Sequence, residues 1–522
     1  MDDTPRISRR DLVMGSLLVM GGSTLPGAVR AANPDGGPDL RLRPEGAERP
    51  LRNRMHGFNS PANYAVPIED PDFVPAVRRI GPHYLRFPGG TVANYYNWRT
   101  GQLDVARTQN PSIYRKFLVD FAVPSSRRLH PDGVLYDDFH AMATATGAGI
   151  IFLPNLETSS VENETARLAD MHSKGLVPRH IELGNEFHHG LLGDPETMRI
   201  FPDYRTTLKI QKTYLDALRR YLRTDALIAV QAANSRLHHP DARPPDNPRA
   251  VMEREWDDQL RPEPWFDAVT THLYPGLSRS AGIEMLKDIP GNADRIYRAM
   301  IARADEGFER SLGFTASRMP GKEIWVTEWG GFEIENTFSQ AGVHFTGLWF
   351  HQVTRGLLAM HRRPEVTVTN YHALFVRGDL SSVLRATDTR EKYAHINSAT
   401  LLNWFFEATR GPNAHYQRVL VDGSRRMTAE GTVAGEGFRD VEAALFRQYR
   451  KRTLLVHNAW SAPRTLDLST VVGAETPLSA EALETPELLA SLHRAAPQPR
   501  PLPSRPTLIA PPYSLVRVTW TA

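Results

Sequence analysis

Two glutamates stand out by what surrounds them. Glu186 closes the run His180-Ile181-Glu182-Leu183-Gly184-Asn185-Glu186, and Glu328 sits in Ile324-Trp325-Val326-Thr327-Glu328-Trp329-Gly330. Each carboxylate follows a short apolar run, the pattern of a buried strand that delivers a side chain at its end. Two carboxyl groups held ~5–5.5 Å apart can break a glycosidic bond with retention, one as nucleophile and the other cycling between acid and base. Taken singly, each could be an ordinary surface carboxylate at a strand end. Their joint occurrence, with the right number of elements between them, favours chemistry.

The elements that must position them recur along the chain. Candidate strands are Arg54–Asn59, His83–Pro88, Gly149–Leu156, Arg179–Glu186, Ala226–Ala233, Trp265–Tyr274, Glu323–Trp329 and Glu365–Leu374. Helical stretches such as Arg205–Thr224, Ala293–Phe308 and Gln340–His361 lie between them. Eight strands alternating with helices predict a (β/α)8 TIM barrel, in which reactive side chains gather at the C-terminal ends of the strands. An open doubly wound sheet is the alternative, and it rarely uses eight such units. Glu186 then ends the fourth strand and Glu328 the seventh, across the mouth from each other. The long segments 99–140 and 234–264 are expected to build over that mouth. Beyond residue 405 the pattern turns to alternating, β-branched segments such as Arg418–Asp422, Thr453–His457 and Leu515–Trp520, which predict a C-terminal antiparallel β-sandwich.

The organisation read from this is 1–31 an export signal, 32–50 a linker carrying a short strand at Leu40–Leu42 that could join the sandwich, 51–404 the catalytic barrel, and 405–522 the accessory sandwich. Ser8-Arg9-Arg10-Asp11-Leu12-Val13-Met14 puts two arginines before the apolar, glycine-containing run Leu12–Ala28, and Val29-Arg30-Ala31 offers a small-residue cleavage site. This resembles a twin-arginine signal peptide and predicts a periplasmic or secreted protein, with no membrane association once the signal is removed. The formal charge of +3 over 522 residues comes with no dense basic run, which argues against nucleic acid as a partner. The absence of cysteine excludes disulfides, thiolate metal sites and cysteine nucleophiles. No phosphate-cradling glycine loop or metal triad is legible, so neither cofactor nor metal is expected.

Further motifs carry a resemblance. Gly184-Asn185-Glu186 is similar to the Asn-Glu acid/base motif of clan A glycoside hydrolases, whose catalytic glutamates lie on strands four and seven, and Thr327-Glu328-Trp329 resembles their nucleophile strand. Leu85-Arg86-Phe87-Pro88-Gly89-Gly90, followed by Asn94-Tyr95-Tyr96-Asn97-Trp98, is close to the second-strand signature of α-L-arabinofuranosidases. His272-Leu273-Tyr274 sits where the clan often places a sixth-strand aromatic, and Pro511-Pro512-Tyr513-Ser514-Leu515 resembles the last sandwich strand of arabinofuranosidase, xylosidase and glucuronidase families. The resemblance implies that Arg86 bonds Glu328 and keeps it ionised, that Asn185 contacts the sugar 2-hydroxyl, and that Tyr274 orients Glu328. It implies a carbohydrate substrate cleaved by double displacement.

Other candidates are weighed against plainer roles. His272 could bind sugar or be a structural histidine; His188-His189-Gly190 could line a subsite or be a solvated loop. Asn155 and Glu157 after strand three, and Asn370 and His372 on strand eight, could reach the sugar or serve packing. Trp98 and Trp329 could be sugar-stacking platforms or core. Met55-His56-Gly57-Phe58-Asn59 and Thr91-Val92-Ala93-Asn94 depart from the arabinofuranosidase pattern. A β-glucuronidase-type enzyme and an endo-acting glycanase are therefore the rival readings within the clan. A catalytically silent carbohydrate-binding barrel is the rival outside it.

Overall fold

The computed structural model describes residues 39–51, 55–106, 113–187, 195–233, 248–276, 279–330, 346–376, 382–432, 435–472 and 478–521. The chain divides into Met1–Gly36 and Gly37–Ala522, and all described residues belong to the second unit. The signal-peptide reading at 1–31 and His188-His189-Gly190 lie outside the described residues. No helix among the described residues is long and apolar enough to cross a membrane.

Eight parallel strands close into a barrel. In chain order they are His56–Asn59, Tyr84–Phe87, Gly149–Phe152, His180–Glu182, Leu227–Gln231, Ala268–Leu273, Glu323–Trp329 and Val366–His372, and the eighth pairs with the first. The expected barrel is the observed one, with most strands shorter than their apolar runs. The fourth stops at Glu182, so Glu186 lies in the loop beyond it. Alternation sorts the side chains. Tyr84, Ile151, Ala229, Ala268, Trp325 and Val368 form a small cluster of their own, apart from the main core of the covering helices, as a filled barrel interior requires. Residues two further along the same strands, such as Arg86, Thr327 and Asn370, follow them towards the mouth, as Glu182 follows His180, whose ring packs on Tyr84 and Trp325.

The segment expected as a long loop at 99–140 is partly helical, with Ile113–Phe117, a π-turn at Leu118–Ala122, Val123–Leu129 and the start of Tyr136–Thr146. In 234–264 the described part contains the helix Pro248–Leu260. The helix Ala293–Ala302 runs on through a π-turn, Arg303–Gly307, into Phe308–Arg318. The last barrel helix, Ala399–Thr409, carries the barrel past the expected boundary at residue 405.

The C-terminal region is one continuous nine-stranded sheet, and the strand Leu40–Pro50 lies within it, antiparallel to Ala414–Asp422 and parallel to Arg464–Asp467. Strand Thr507–Ala510 is at one edge, and Ser514–Thr521 is third from the other. In a flat sheet six strand spacings would part them by ~29 Å. The linker Pro511-Pro512-Tyr513 spans ~14 Å at most. The sheet therefore folds over into two layers, the expected sandwich, around Leu42, Val419, Leu454, Leu466, Leu508, Val516 and Val518. Buried charge joins it to the barrel: Arg355, on the helix Gly347–Arg362, reaches Asp305 of the barrel at 3.1 Å and also pairs with Glu442 of the sandwich.

Candidate active site

Glu328 owes its position to an irregularity in the seventh strand. Against the sixth strand, Val326 faces Thr271 and Glu328 faces His272, so Thr327 is an extra residue; against the eighth, both Thr327 and Glu328 stand opposite Asn370 alone. This bulge turns Thr327 and Glu328 towards the interior together, as bulges beside reactive sites do. It also turns Trp329 outward. Trp329 is packed edge-on to Tyr371, with ring centroids 5.1 Å apart, near Gly356 of the helix Gly347–Arg362. It belongs to the core and offers no face to a sugar.

Glu186 is held by a tight turn. Gly184 has φ +97°, and a Cβ there would collide with the Phe187 ring. Glu186 itself has φ +52°, a conformation L-residues rarely adopt, and the neighbouring Phe187 N–H donates to Gln231 Oε1 at 2.9 Å. One carboxylate oxygen of Glu186, one of Glu328 and a ring nitrogen of His272 lie within 4.8 Å of one another.

Arg86 joins the groups around Glu328. Fully buried on the second strand, it donates from Nη1 to Glu328 Oε1 at 2.6 Å and from Nη2 to Asn185 Oδ1 at 2.8 Å. Its Nε and Nη2 also grip Glu182, both at 2.7 Å. With Oδ1 committed to Arg86, Asn185 is left with a buried Nδ2 that has no partner among the described residues. Tyr274 Oη donates to Glu328 Oε2 at 2.9 Å and lies 3.4 Å from His372 Nδ1. His272 Nδ1 is 2.7 Å from Glu186 Oε1, and His272 Nε2 is 3.2 Å from Thr327 Oγ1.

The electrostatics follow from these contacts. Burial alone would raise the Glu328 carboxyl, but His272, Arg86, His372 and the Tyr274 hydroxyl together hold it down at about 2. Burial disfavours the His272 imidazolium, yet the two glutamates outweigh it and raise His272 above its ordinary value. The Arg86 guanidinium, despite burial, is driven further towards its charged form by Glu182 and Glu328.

Glu186, His272 and Glu328 have the spacing of metal ligands. Arg86 already supplies positive charge directly on Glu328, and a divalent cation beside it would meet that charge unscreened. An ion is thus a poor fit.

Of the residues singled out from sequence, Glu186, Glu328, Arg86, Asn185, His272, Tyr274 and His372 come together. Trp98 is engaged elsewhere: its Nε1 donates to Asn163 Oδ1 at 3.1 Å and the Arg99 guanidinium lies over its ring. Asn155 spends its amide on its own turn and on the Tyr96 carbonyl. Glu157 accepts from Tyr95 and Thr197. Asn370 is buried, with neither amide atom partnered among the described residues. Sequence reasoning gave no individual role to Glu182, Thr327 or Gly90. The available signal for Glu182 was a carboxylate within a strand buried on both faces, which demands a buried cation.

No family model matches the chain, and no curated protein matches it. Among solved structures, it is similar to a family 51 α-L-arabinofuranosidase from Bifidobacterium longum, at 14% identity and a TM-score of 0.64, covering 93% of this chain and 100% of that one. An α-L-arabinofuranosidase from Thermotoga maritima gives 14% identity and a TM-score of 0.63, covering 92% and 99%. A family 44 xyloglucanase from Paenibacillus polymyxa gives 11% and 0.56, again covering 92% and 99%. At these identities what is shared is the fold, a (β/α)8 barrel with an accessory β-sheet region.

Proposed function

We propose that this chain is a retaining glycoside hydrolase, with Glu328 as nucleophile and Glu186 as acid/base. The observation that carries the reading is the approach of the two carboxylates to within 4.8 Å, with Arg86 on one and His272 on the other. That is the close spacing of a retaining pair and leaves no room for the water an inverting pair must hold between them. Glu328, ionised, attacks the anomeric carbon while Glu186 protonates the departing oxygen. The glycosyl-enzyme has lost the Glu328 charge, so Glu186 now accepts a proton from water, which attacks the same carbon and displaces Glu328 as a carboxylate. Asn185 Nδ2 is placed to donate to a sugar hydroxyl beside that carbon, a bond that strengthens as the oxocarbenium-like transition state forms.

The substrate reading is an α-L-arabinofuranoside in a polysaccharide or oligosaccharide. It is supported by the Leu85–Gly90 motif and by the shared fold with arabinofuranosidases. The pair Arg9-Arg10 before an apolar run supports export by the twin-arginine route. The test is nitrophenol release from α-L-arabinofuranoside, β-D-glucuronide, β-D-xyloside, β-D-galactoside and β-D-glucoside, with Glu328→Ala as control. Arabinofuranoside hydrolysis lost in the variant supports the reading in full. A hit on glucuronide alone moves it to the uronidase alternative. Glycan binding without product would leave a silent binding barrel.

A further inference from the structure

We infer that Glu182 and Thr327 are positioning residues that decide which nitrogen of His272 carries its proton, and so keep the proton of the acid/base on the Glu186–His272 pair. For its catalytic meaning this rests on the glycosidase reading above. The hydrogen-bond directions carry the argument. Glu182 is fully buried, and both its oxygens accept from Arg86 at 2.7 Å. A carboxylate so bound only accepts. Thr327 Oγ1, at 2.9 Å from Glu182 Oε1, must therefore be the donor of that bond. Its one proton is spent, so towards His272 Nε2, at 3.2 Å, Thr327 Oγ1 acts as an acceptor and Nε2 as the donor.

This assigns Nε2–H to His272. In the neutral ring Nδ1 is then a lone pair, and it points at Glu186 Oε1 from 2.7 Å and at Glu328 Oε2 from 3.7 Å. One proton sits between Nδ1 and Glu186. It is either on the carboxyl, with a neutral ring, or on Nδ1, as an imidazolium facing a carboxylate. The charged groups facing the ring are Glu186 beyond the fourth strand, Glu328 on the seventh and Arg86 on the second. Were the opposite tautomer allowed, Nδ1–H would donate to a Glu186 carboxylate and would be the only N–H of a neutral ring, far too weak an acid to protonate the leaving group. In the first step the proton passes from the pair to the glycosidic oxygen as the bond to the anomeric carbon breaks. In the second it returns from the attacking water, whose oxygen forms the new bond to the anomeric carbon as the ester bond to Glu328 breaks and Glu328 leaves as a carboxylate.

The bulge at Thr327 makes the relay geometric. It brings Thr327 and Glu328 to the same face, so one strand presents both the nucleophile and the hydroxyl that orients the partner of the acid/base.

The test uses the full chain and two readouts. Long-range nitrogen–proton correlations of the 15N-labelled histidine rings, with His272→Gln assigning the signal, report the neutral tautomer above the titration of the ring. Nε2–H is expected in the wild type and in Thr327→Ser, and Nδ1–H in Thr327→Val and Glu182→Gln. In parallel, the high-pH limb of kcat/KM for aryl glycosides with poor leaving groups should fall by about one pH unit in Thr327→Val, the size of one lost hydrogen bond to a charged pair. Thr327→Ser should restore it. Nδ1–H in the wild type, an unchanged tautomer in Thr327→Val, or a serine variant that behaves like valine would each overturn the inference. If no aryl glycoside is cleaved by the wild type, the glycosidase reading fails, while the ring signals still decide the tautomer.

Discussion

Gly90 and Glu328 are in contact across the barrel mouth: a Cβ on Gly90 would lie 2.3 Å from Oε1 of Glu328. The pair of glycines after the second strand thus has a reason beyond the turn. The backbone at residue 90 closes one side of the Glu328 carboxylate, as Arg86 and Tyr274 close others. A carboxylate walled in this way has one orientation, which is what attack along a fixed line requires.

Replacing Gly90 by alanine should therefore act on Glu328 first. The added methyl must push the carboxylate away from Arg86 or tilt the loop. We expect kcat to fall about 100-fold, the usual consequence of a ~1 Å misplacement, with thermal unfolding moved by only a few degrees. Steady-state kinetics beside a melting curve will check this. Unaltered kcat would mean that the contact relaxes at no cost to the nucleophile.

Glu328 is held ionised down to about pH 2 by the cations and the hydroxyl around it, against the push of burial. Its lowered value means that its stabilising contribution is complete above the ordinary carboxylate range and is lost as pH falls through about 2. Tyr274→Phe removes one bond to the charged form. A bond of this kind contributes ~1.5–3 kcal/mol, so the acid limb of kcat/KM should move up by about one to two units. A profile below pH 6 for both proteins decides it. No movement of the acid limb would show that Tyr274 does not orient an ionised Glu328.

The barrel was legible because its strands are apolar runs such as Ile150-Ile151-Phe152-Leu153, covered on both faces, and Glu328 because it follows one of them. The bulge was not. It is a relation between three strands, and a period-of-two reading from Trp325 through Thr327 would send Trp329 inward and Glu328 outward, the reverse of what occurs. Glu182 lay in plain view between His180 and Asn185, but its role depends on Arg86, which is 96 positions away. Pairing at that distance comes from barrel closure and leaves no local mark. The strand Leu40–Pro50 was read only in part, since burial alternates only over Leu40–Arg43 and the rest, broken by an irregularity between Glu45 and Arg49, is defined by its pairing with Ala414–Asp422.

Removal of the Glu186 side chain should divide substrates by their leaving groups. Glu186→Ala cannot protonate the departing oxygen, so a glycoside of an alcohol should lose about 1,000-fold in kcat/KM or more, within the range of general acid catalysis. A dinitrophenyl glycoside, whose leaving group needs no proton, should be nearly spared in the first step. Azide should then react with the glycosyl-enzyme to give a glycosyl azide of retained configuration. Equal losses for both substrates would count against the acid/base role of Glu186.

Arg355 is fully buried, donates Nε–H to His457 Nδ1 at 2.8 Å, and pairs with both Asp305 and Glu442. Arg362 on the same helix also reaches those two carboxylates and adds Glu309 at 2.8 Å. Burial weakens the hold of Arg355 on its charge, whereas its neighbours strengthen that of Arg362. Arg355→Met keeps the volume of the stem and removes the charge, leaving Asp305 to Arg362 alone. Breaking a buried pair from one side costs ~3–5 kcal/mol; with Arg362 still present, the lower end is expected. The denaturant midpoint should fall accordingly, and the Glu328-dependent chemistry, on another face of the barrel, should keep its pH profile. A variant as stable as the wild type would mean that Arg362 alone neutralises the cluster and that the buried arginine serves only to fill the joint.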